Sequence, residues 1–168
     1  MRTISVLQLF LAFAIGISSL FALFKIIKYL MKSVYKIEEE NTSFAIFQTG
    51  IIISGSFILS SILSPALNAI RFLNPNNQFT SQTIMSSLGY ITIFVLIGLF
   101  CTILVITSGL LVLFQLTKVN EGEEIKKNNI PIALITIAMI FGLSIIVDEY
   151  VGALCEALIP YPEIPKFY

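Results

Sequence analysis

Four long stretches of this chain carry no charged residue, and this pattern constrains the fold more than any other feature. They cover residues 3 to 24, 41 to 70, 72 to 117 and 128 to 147. An α-helix needs about 20 apolar residues to cross a hydrocarbon core about 30 Å thick. The sequence therefore predicts four spanning helices, at about residues 5 to 31, 43 to 72, 84 to 117 and 130 to 158.

The composition supports a membrane protein. Only 12% of the 168 residues are charged, against about a quarter in soluble domains, and the mean hydropathy is +0.93. The polar segments between the uncharged stretches are too short to bury a core of their own. We therefore expect residues 1 to 168 to form a single integral membrane domain, an all-α bundle of four transmembrane helices.

Small residues and prolines refine this bundle. Gly50 and Ser54 form a step of two small residues four positions apart, which predicts close helix packing. Pro65 should kink the second helix, because proline lacks a backbone donor and clashes with the preceding turn. Pro160 and Pro162 should end the fourth helix, and residues 74 to 78 are predicted to form a loop.

Catalytic and metal-binding classes are disfavoured. The chain has no histidine, and its two cysteines, Cys101 and Cys155, lie in different predicted helices. The net charge of zero disfavours a nucleic-acid partner. We expect a protein without cofactor or metal, whose partners are the lipid bilayer and copies of itself or other membrane subunits.

The basic residues predict the orientation. Seven of the ten flank the first and third connections, which the positive-inside rule places in the cytoplasm. Both termini and the second connection then face outward, in what we expect to be a bacterial inner membrane. The seven are Lys25, Lys28, Lys32, Lys36, Lys118, Lys126 and Lys127; the others are Arg2, Arg71 and Lys166.

The two cytoplasmic connections also resemble each other. Asn41 and Ala45 align with Asn129 and Ala133 at a constant offset of 88 residues. This indicates two tandem two-helix repeats, at about residues 1 to 73 and 84 to 168. Because each repeat has an even number of spans, both insert in the same orientation, and their symmetry axis runs along the membrane normal.

A family resemblance rests on the second of these connections. The stretch from Glu124 to Ala133 resembles the charged linker and N-x-A-x-A signature of the DUF350 family of small bacterial inner-membrane proteins. In this chain Asn128 stands where that pattern usually has Gly, and Pro131 replaces its first Ala. The resemblance implies two copies of a two-helix unit and no settled biochemical activity.

Asn41 and Asn129 are the first candidate functional residues. Each stands at the start of a long predicted helix, where an asparagine side chain can accept a hydrogen bond from a free backbone N–H. Helix capping is the structural interpretation of both residues. A role in binding a ligand or partner is the functional alternative.

Asp148, Glu149 and Glu156 are the second candidates. Asp148 lies about 27 Å along the fourth helix, near the outer edge of the hydrocarbon, and shares a face with Gly152 and Glu156. These carboxylates either mark where the helix leaves the membrane or attract cations to a pore mouth. Arg71, at the outer end of the second helix, is a candidate partner for Glu156.

Two functions follow from these features. The first is a non-enzymatic membrane protein that acts by association, as a homo-oligomer or as a small accessory subunit of a membrane complex. The alternative is an ion channel or transporter with its path between protomers, in which Asp148, Glu149 and Glu156 form an outer ring that attracts cations.

Overall fold

The structure is a computed structural model that describes residues 2–33, 41–73, 80–159 and 161. Within these ranges every regular element is a helix and no strand occurs. The elements are α1 (Arg2–Ser33), α2 (Thr42–Ser61), α3 (Leu63–Leu73), α4 (Ser81–Thr117), α5 (Glu121–Lys126) and α6 (Ile130–Ala157).

Four segments of these helices are long and apolar enough to cross a membrane. They are Leu9–Leu30 of α1, Thr42–Leu73 across α2 and α3, Ser81–Thr117 and Ile130–Ala157. This confirms the all-α bundle of four transmembrane helices, and the chain is an integral membrane protein. The predicted loop at residues 74 to 78 and the two prolines expected to end the fourth helix lie outside the described residues.

The break between α2 and α3 lies where Pro65 predicts it. α2 ends at Ser61, four residues before the proline, and α3 resumes at Leu63. Proline cannot donate to the carbonyl four residues earlier, so the Ser61 carbonyl loses its usual helical partner. That carbonyl instead lies beside Gly152 of α6, where a Cβ atom would be 3.1 Å from its oxygen.

The segment formed by α2 and α3 runs parallel to α6 along the whole bundle. At four contacts between them, the residue on α6 is numbered between 84 and 91 positions higher. This register includes the offset of 88 from which the repeat is predicted, although the repeat itself stays a prediction. The contacts are Gly50 with Ile137, Phe57 with Phe141, Ser61 with Gly152 and Asn68 with Glu156.

The other two long helices pack around this central pair. α4 packs on both α2 and α6, and glycines at Gly98 and Gly109 bring it close to Ile62 and Ile140. α1 packs mainly on α2, where Leu23 fills the space beside Gly55. The largest fully buried side chains of the resulting core include Phe47, Ile51, Ile58, Phe94 and Ile140.

The bundle has two ends, which we name by the elements found there. The α5 end contains the start of α2, the end of α4, α5 and the start of α6. The α3 end contains α3, the start of α4 and the end of α6. In the predicted orientation, the α5 end is cytoplasmic.

Gly50 provides a test of the central contact. In Gly50→Ala the new Cβ would lie 2.3 Å from Ile137, so the core must shift. Overpacking of this kind costs about 1–3 kcal/mol of unfolding free energy. The loss should appear in denaturant or thermal unfolding of the protein in mild detergent.

Gly142→Ala is the matched control, because no atom lies within 4 Å of the added Cβ and alanine favours a helix. This variant should be as stable as the native protein or more so. Adding Ile137→Ala to Gly50→Ala should recover part of the lost stability. Equal stability of the two glycine variants would contradict the close approach of α2 and α6.

Candidate functional site

Asn41 and Asn129 cap the two central helices, as the sequence predicts. The Oδ1 atom of Asn41 accepts a hydrogen bond from the backbone N–H of Phe44 at 2.8 Å. The Oδ1 atom of Asn129 accepts one from the N–H of Ile132 at 3.4 Å. Each bond satisfies one of the donors that a helix start leaves free. The capping prediction is confirmed, and a role in binding a ligand or partner stays a prediction.

α5 is a short helix that was not predicted from the sequence, and it lies between these two caps. α5 ends with Asn128 in the left-handed conformation, at φ 61°. The N–H of Asn128 donates to the carbonyl of Ile125 at 3.1 Å, and the N–H of Asn129 donates to that of Glu124 at 2.9 Å. This pair of bonds forms a Schellman motif, which ends a helix and turns the chain sharply. Asn129 is thereby placed at the start of α6.

The end of α5 and the start of α2 bind each other through two asparagines. The Nδ2 atom of Asn41 donates to the carbonyl of Ile125 at 2.9 Å and to that of Lys126 at 3.1 Å. In return, the Oδ1 atom of Asn128 accepts from the backbone N–H of Ser43 at 2.9 Å. The side chains therefore satisfy backbone groups of a segment about 85 residues away in sequence. We call Asn41, Asn128 and Asn129 the asparagine cluster.

Glu124 binds Asn129, the third asparagine of the cluster. Its Oε2 atom accepts from the Nδ2 atom of Asn129 at 2.8 Å, and its Oε1 atom pairs with Lys127 at 2.9 Å. The hydrogen bond from Lys127, followed by the one from Asn129, lowers the pKa of the Glu124 carboxyl below its ordinary value. The carboxylate therefore stays ionised through the neutral range and holds Asn129 in its capping position.

Asn128 is the member of the asparagine cluster that was not predicted from the sequence to be a functional residue. A left-handed residue at this place favours glycine, and asparagine adopts that conformation more readily than most other residues. The DUF350 pattern that this stretch resembles usually has Gly at this position, so an asparagine there was the available signal. Asparagine adds an acceptor that glycine lacks, and Ser43 uses it.

Asn128 tests the cluster. Asn128→Gly keeps the left-handed conformation but loses the bond to Ser43, which should cost about 1 kcal/mol of unfolding free energy. Asn128→Ala also forces alanine into the left-handed region and should cost about 2 kcal/mol or more. Unfolding of both variants in mild detergent measures the difference.

Lys118→Ala is the matched control, because Lys118 is also left-handed, at φ 55°, and ends α4. Lysine and alanine pay a similar steric cost there, so this variant should remain close to the native protein. Native stability of Asn128→Ala would show that the cluster contributes nothing to the fold.

Glu156 lies in a second polar cluster at the α3 end. Its carboxylate accepts from the Nδ2 atom of Asn68 on α3, at 3.2 Å to Oε1, and from the hydroxyl of Tyr161. The Tyr161 ring packs edge-on against Phe72, with centroids 5.8 Å apart. The hydrogen bond to Glu156 raises the pKa of the Tyr161 hydroxyl. Neither Asn68 nor Tyr161 was predicted from the sequence as a partner of this carboxylate.

The ion pair suggested between Arg71 and Glu156 is not formed in the structure. The two ion pairs found within the described ranges join glutamates and lysines of the α5 region, at Glu123 with Lys126 and Glu124 with Lys127. Arg71 is exposed near the end of α3 and has interactions of its own. Glu156 takes neutral donors instead, because Asn68 faces it directly across the contact between α3 and α6.

The other two acidic candidates stand apart from Glu156. Asp148 is half-buried, and its Oδ1 atom accepts from the N–H of Glu149 at 2.7 Å. Glu149 itself is exposed. The α6 face that carries Gly152 and Glu156 packs on α2 and α3, whereas Glu149 lies on the outer surface.

The interior of the bundle offers little reactive chemistry. The described residues contain no group of three His, Cys, Asp or Glu side chains able to hold a metal. Several buried hydroxyls donate to carbonyls of their own helix, as in Thr102 to Gly98 and Ser144 to Ile140, at 2.8 and 2.9 Å. These hydroxyls therefore have their donors satisfied within the core, whereas those of Ser43 and Ser54 have no hydrogen-bond partner among the described residues.

Compared with known proteins, the chain matches no family model, no curated protein and no solved structure. The resemblance to the DUF350 family therefore stays a prediction that rests on the residues of the α5 end.

Proposed function

We propose that this chain is a non-enzymatic membrane protein that acts by association, as a homo-oligomer or as a small accessory subunit of a membrane complex. The observation that carries the proposal is the closed interior of the bundle. Large apolar side chains fill the core between α2, α4 and α6, and the buried hydroxyls Ser19, Thr102, Thr136 and Ser144 bond to their own helices. Because this core is largely apolar, we infer that the chain acts through its outer surface.

The outer surface of α6 is the best candidate for such contacts. Around Glu149 it exposes Ile145, Ile146 and Tyr150, with Tyr150 72% exposed. An ionisable side chain on an apolar helix favours a polar neighbour or water over lipid tails. Contact with another protein surface would provide that neighbour.

Two further features support the proposed architecture and location. The parallel register of α2–α3 with α6 supports two tandem repeats related by an axis along the membrane normal. The excess of lysine near the α5 end supports a cytoplasmic position for that end in a bacterial inner membrane.

Cysteine cross-linking tests association through α6. In a background with Cys101→Ala and Cys155→Ala, Ile146→Cys should form a covalent dimer on mild oxidation in native membranes, because the side chain is 64% exposed. Light scattering of the extracted protein should give a multiple of 18.6 kDa, or a complex with a second subunit in fixed ratio.

Phe13→Cys is the matched control, because Phe13 is 63% exposed but lies on α1. It should not form the dimer when α6 is the contact surface. A single copy of the chain in both detergent and lipid discs, with no co-purified subunit, would contradict the proposal.

The alternative function is an ion channel or transporter with its path between protomers. The exposed carboxylate of Glu149 and the half-buried Asp148 favour it, because charges at a pore mouth raise the local cation concentration. Glu156 is less suited to that role, since Asn68 and Tyr161 occupy its carboxylate.

Ion flux distinguishes the two functions. If a path exists, changing Asp148→Asn and Glu149→Gln together should lower cation flux in proteoliposomes while the oligomer remains intact. Glu156→Gln, the matched control, should leave flux unchanged because its amide oxygen can still accept from Asn68. Native protein that conducts no more than protein-free liposomes, at any voltage or gradient tried, excludes the channel.

A further inference from the structure

The outer face of α1 carries a row of lysines near the α5 end. Lys25, Lys28 and Lys32 are spaced by three and four residues, so they lie on one side of the helix, and all three are exposed. We call them the lysine row. The two ion pairs found among the described residues lie in the α5 region. Neither of these pairs provides a carboxylate to the lysine row.

Aromatic side chains continue the same face toward the middle of the bundle. The row borders an open groove of about 480 Å³, lined by Phe21, Phe24, Lys25, Lys28, Tyr29 and Lys32. The ammonium of Lys25 lies over the ring of Phe21, 4.6 Å from its centroid. The face is therefore apolar toward the middle of the bundle and basic toward the α5 end.

The depth of the row is shown by a contact shared among three helices. A Cβ atom on Gly55 of α2 would touch both Leu23 of α1 and Thr102 of α4. α4 ends at the α5 end, and α1 also runs toward it, since α1 ends at Ser33 and α2 begins at that end at Thr42. Lys25 and Leu104, each two residues further along, therefore lie at about the same depth.

The same count places Lys32 at about the depth of Leu111. Both of these leucines are exposed, at 49% for Leu104 and 56% for Leu111. The lysine row of α1 thus lies at depths where α4 presents leucine to the surroundings. Three exposed charges at depths where the neighbouring helix is apolar are costly unless a counter-charge reaches them.

We propose that the lysine row binds the phosphate group of an anionic phospholipid in the leaflet at the α5 end. The lipid's acyl chains then lie along Phe21 and Phe24, and its headgroup meets the row and Tyr29. The order of the groove, apolar followed by basic, matches the order of a lipid from chain to headgroup. Basic residues attract anionic headgroups in the same way elsewhere in membrane proteins.

An acidic protein partner fits this face less well. It would have to supply carboxylates beside Lys25 and also leave Phe21 and Phe24 in an apolar environment. A phospholipid provides the phosphate and the apolar chain in one molecule. The lipid site is independent of the proposed association through α6, because the two surfaces belong to different helices.

Native mass spectrometry of the purified full chain tests the site. Phosphatidylglycerol and phosphatidylcholine are titrated separately into the protein in mild detergent, and the lipid-bound fraction is measured. The native protein should retain phosphatidylglycerol in preference. The triple variant K25Q/K28Q/K32Q should need about ten-fold more phosphatidylglycerol, or more, for half-saturation.

K118Q/K126Q/K127Q is the matched control, since it removes the same charge near the same end of the bundle but away from α1. It should bind phosphatidylglycerol like the native protein, and K25R/K28R/K32R should also keep the binding. If the triple glutamine variant does not fold, K28Q alone should still show weaker binding.

Three results would overturn the proposal. The first is equal retention of phosphatidylglycerol by K25Q/K28Q/K32Q and its control. The second is equal binding of the neutral and anionic lipids by the native protein. The third is a glutamine variant that keeps its lipid but loses self-association, which would make the lysine row a protein interface.

Discussion

The parallel contact between α2–α3 and α6 holds the bundle in register, because each of its ends is fixed by polar side chains. At the α5 end, Asn41 and Asn128 exchange hydrogen bonds with backbone groups of each other's segment. At the α3 end, Asn68 binds Glu156. Between them, glycines allow the helices to approach, so dispersion forces act over the whole length. α1 and α4 pack onto a pair whose register is already set.

This packing also determines where the protein can act. Residues such as Phe47 and Ile140 fill the core, and the buried polar side chains of the central helices are small hydroxyls such as Ser54 and Ser144. The chemically distinct regions lie on the surface, at Glu149 on α6 and at the lysine row on α1. One surface suits a protein neighbour and the other suits a lipid headgroup. The proposed activity by association follows from that distribution.

Much of the fold and part of the site could be predicted from local sequence. The four spans followed from their uncharged stretches, the break before α3 followed from Pro65, and the caps followed from Asn41 and Asn129. α5 was missed because six residues carry too little periodicity to stand out from a charged linker. Asn128, Asn68 and Tyr161 were missed because their partners are distant in sequence or bring no opposite charge.

The sequence by itself determined that this chain enters a membrane as four helices, because backbone hydrogen bonding and side-chain hydropathy are local properties. Only the tertiary structure decided which polar groups meet. It paired Glu156 with Asn68, connected Asn128 to Ser43, and brought Lys25 to the depth of Leu104. These relations depend on the relative shift of packed helices, which is set by the fit of Gly50 and Gly55 against their neighbours and by no single segment alone.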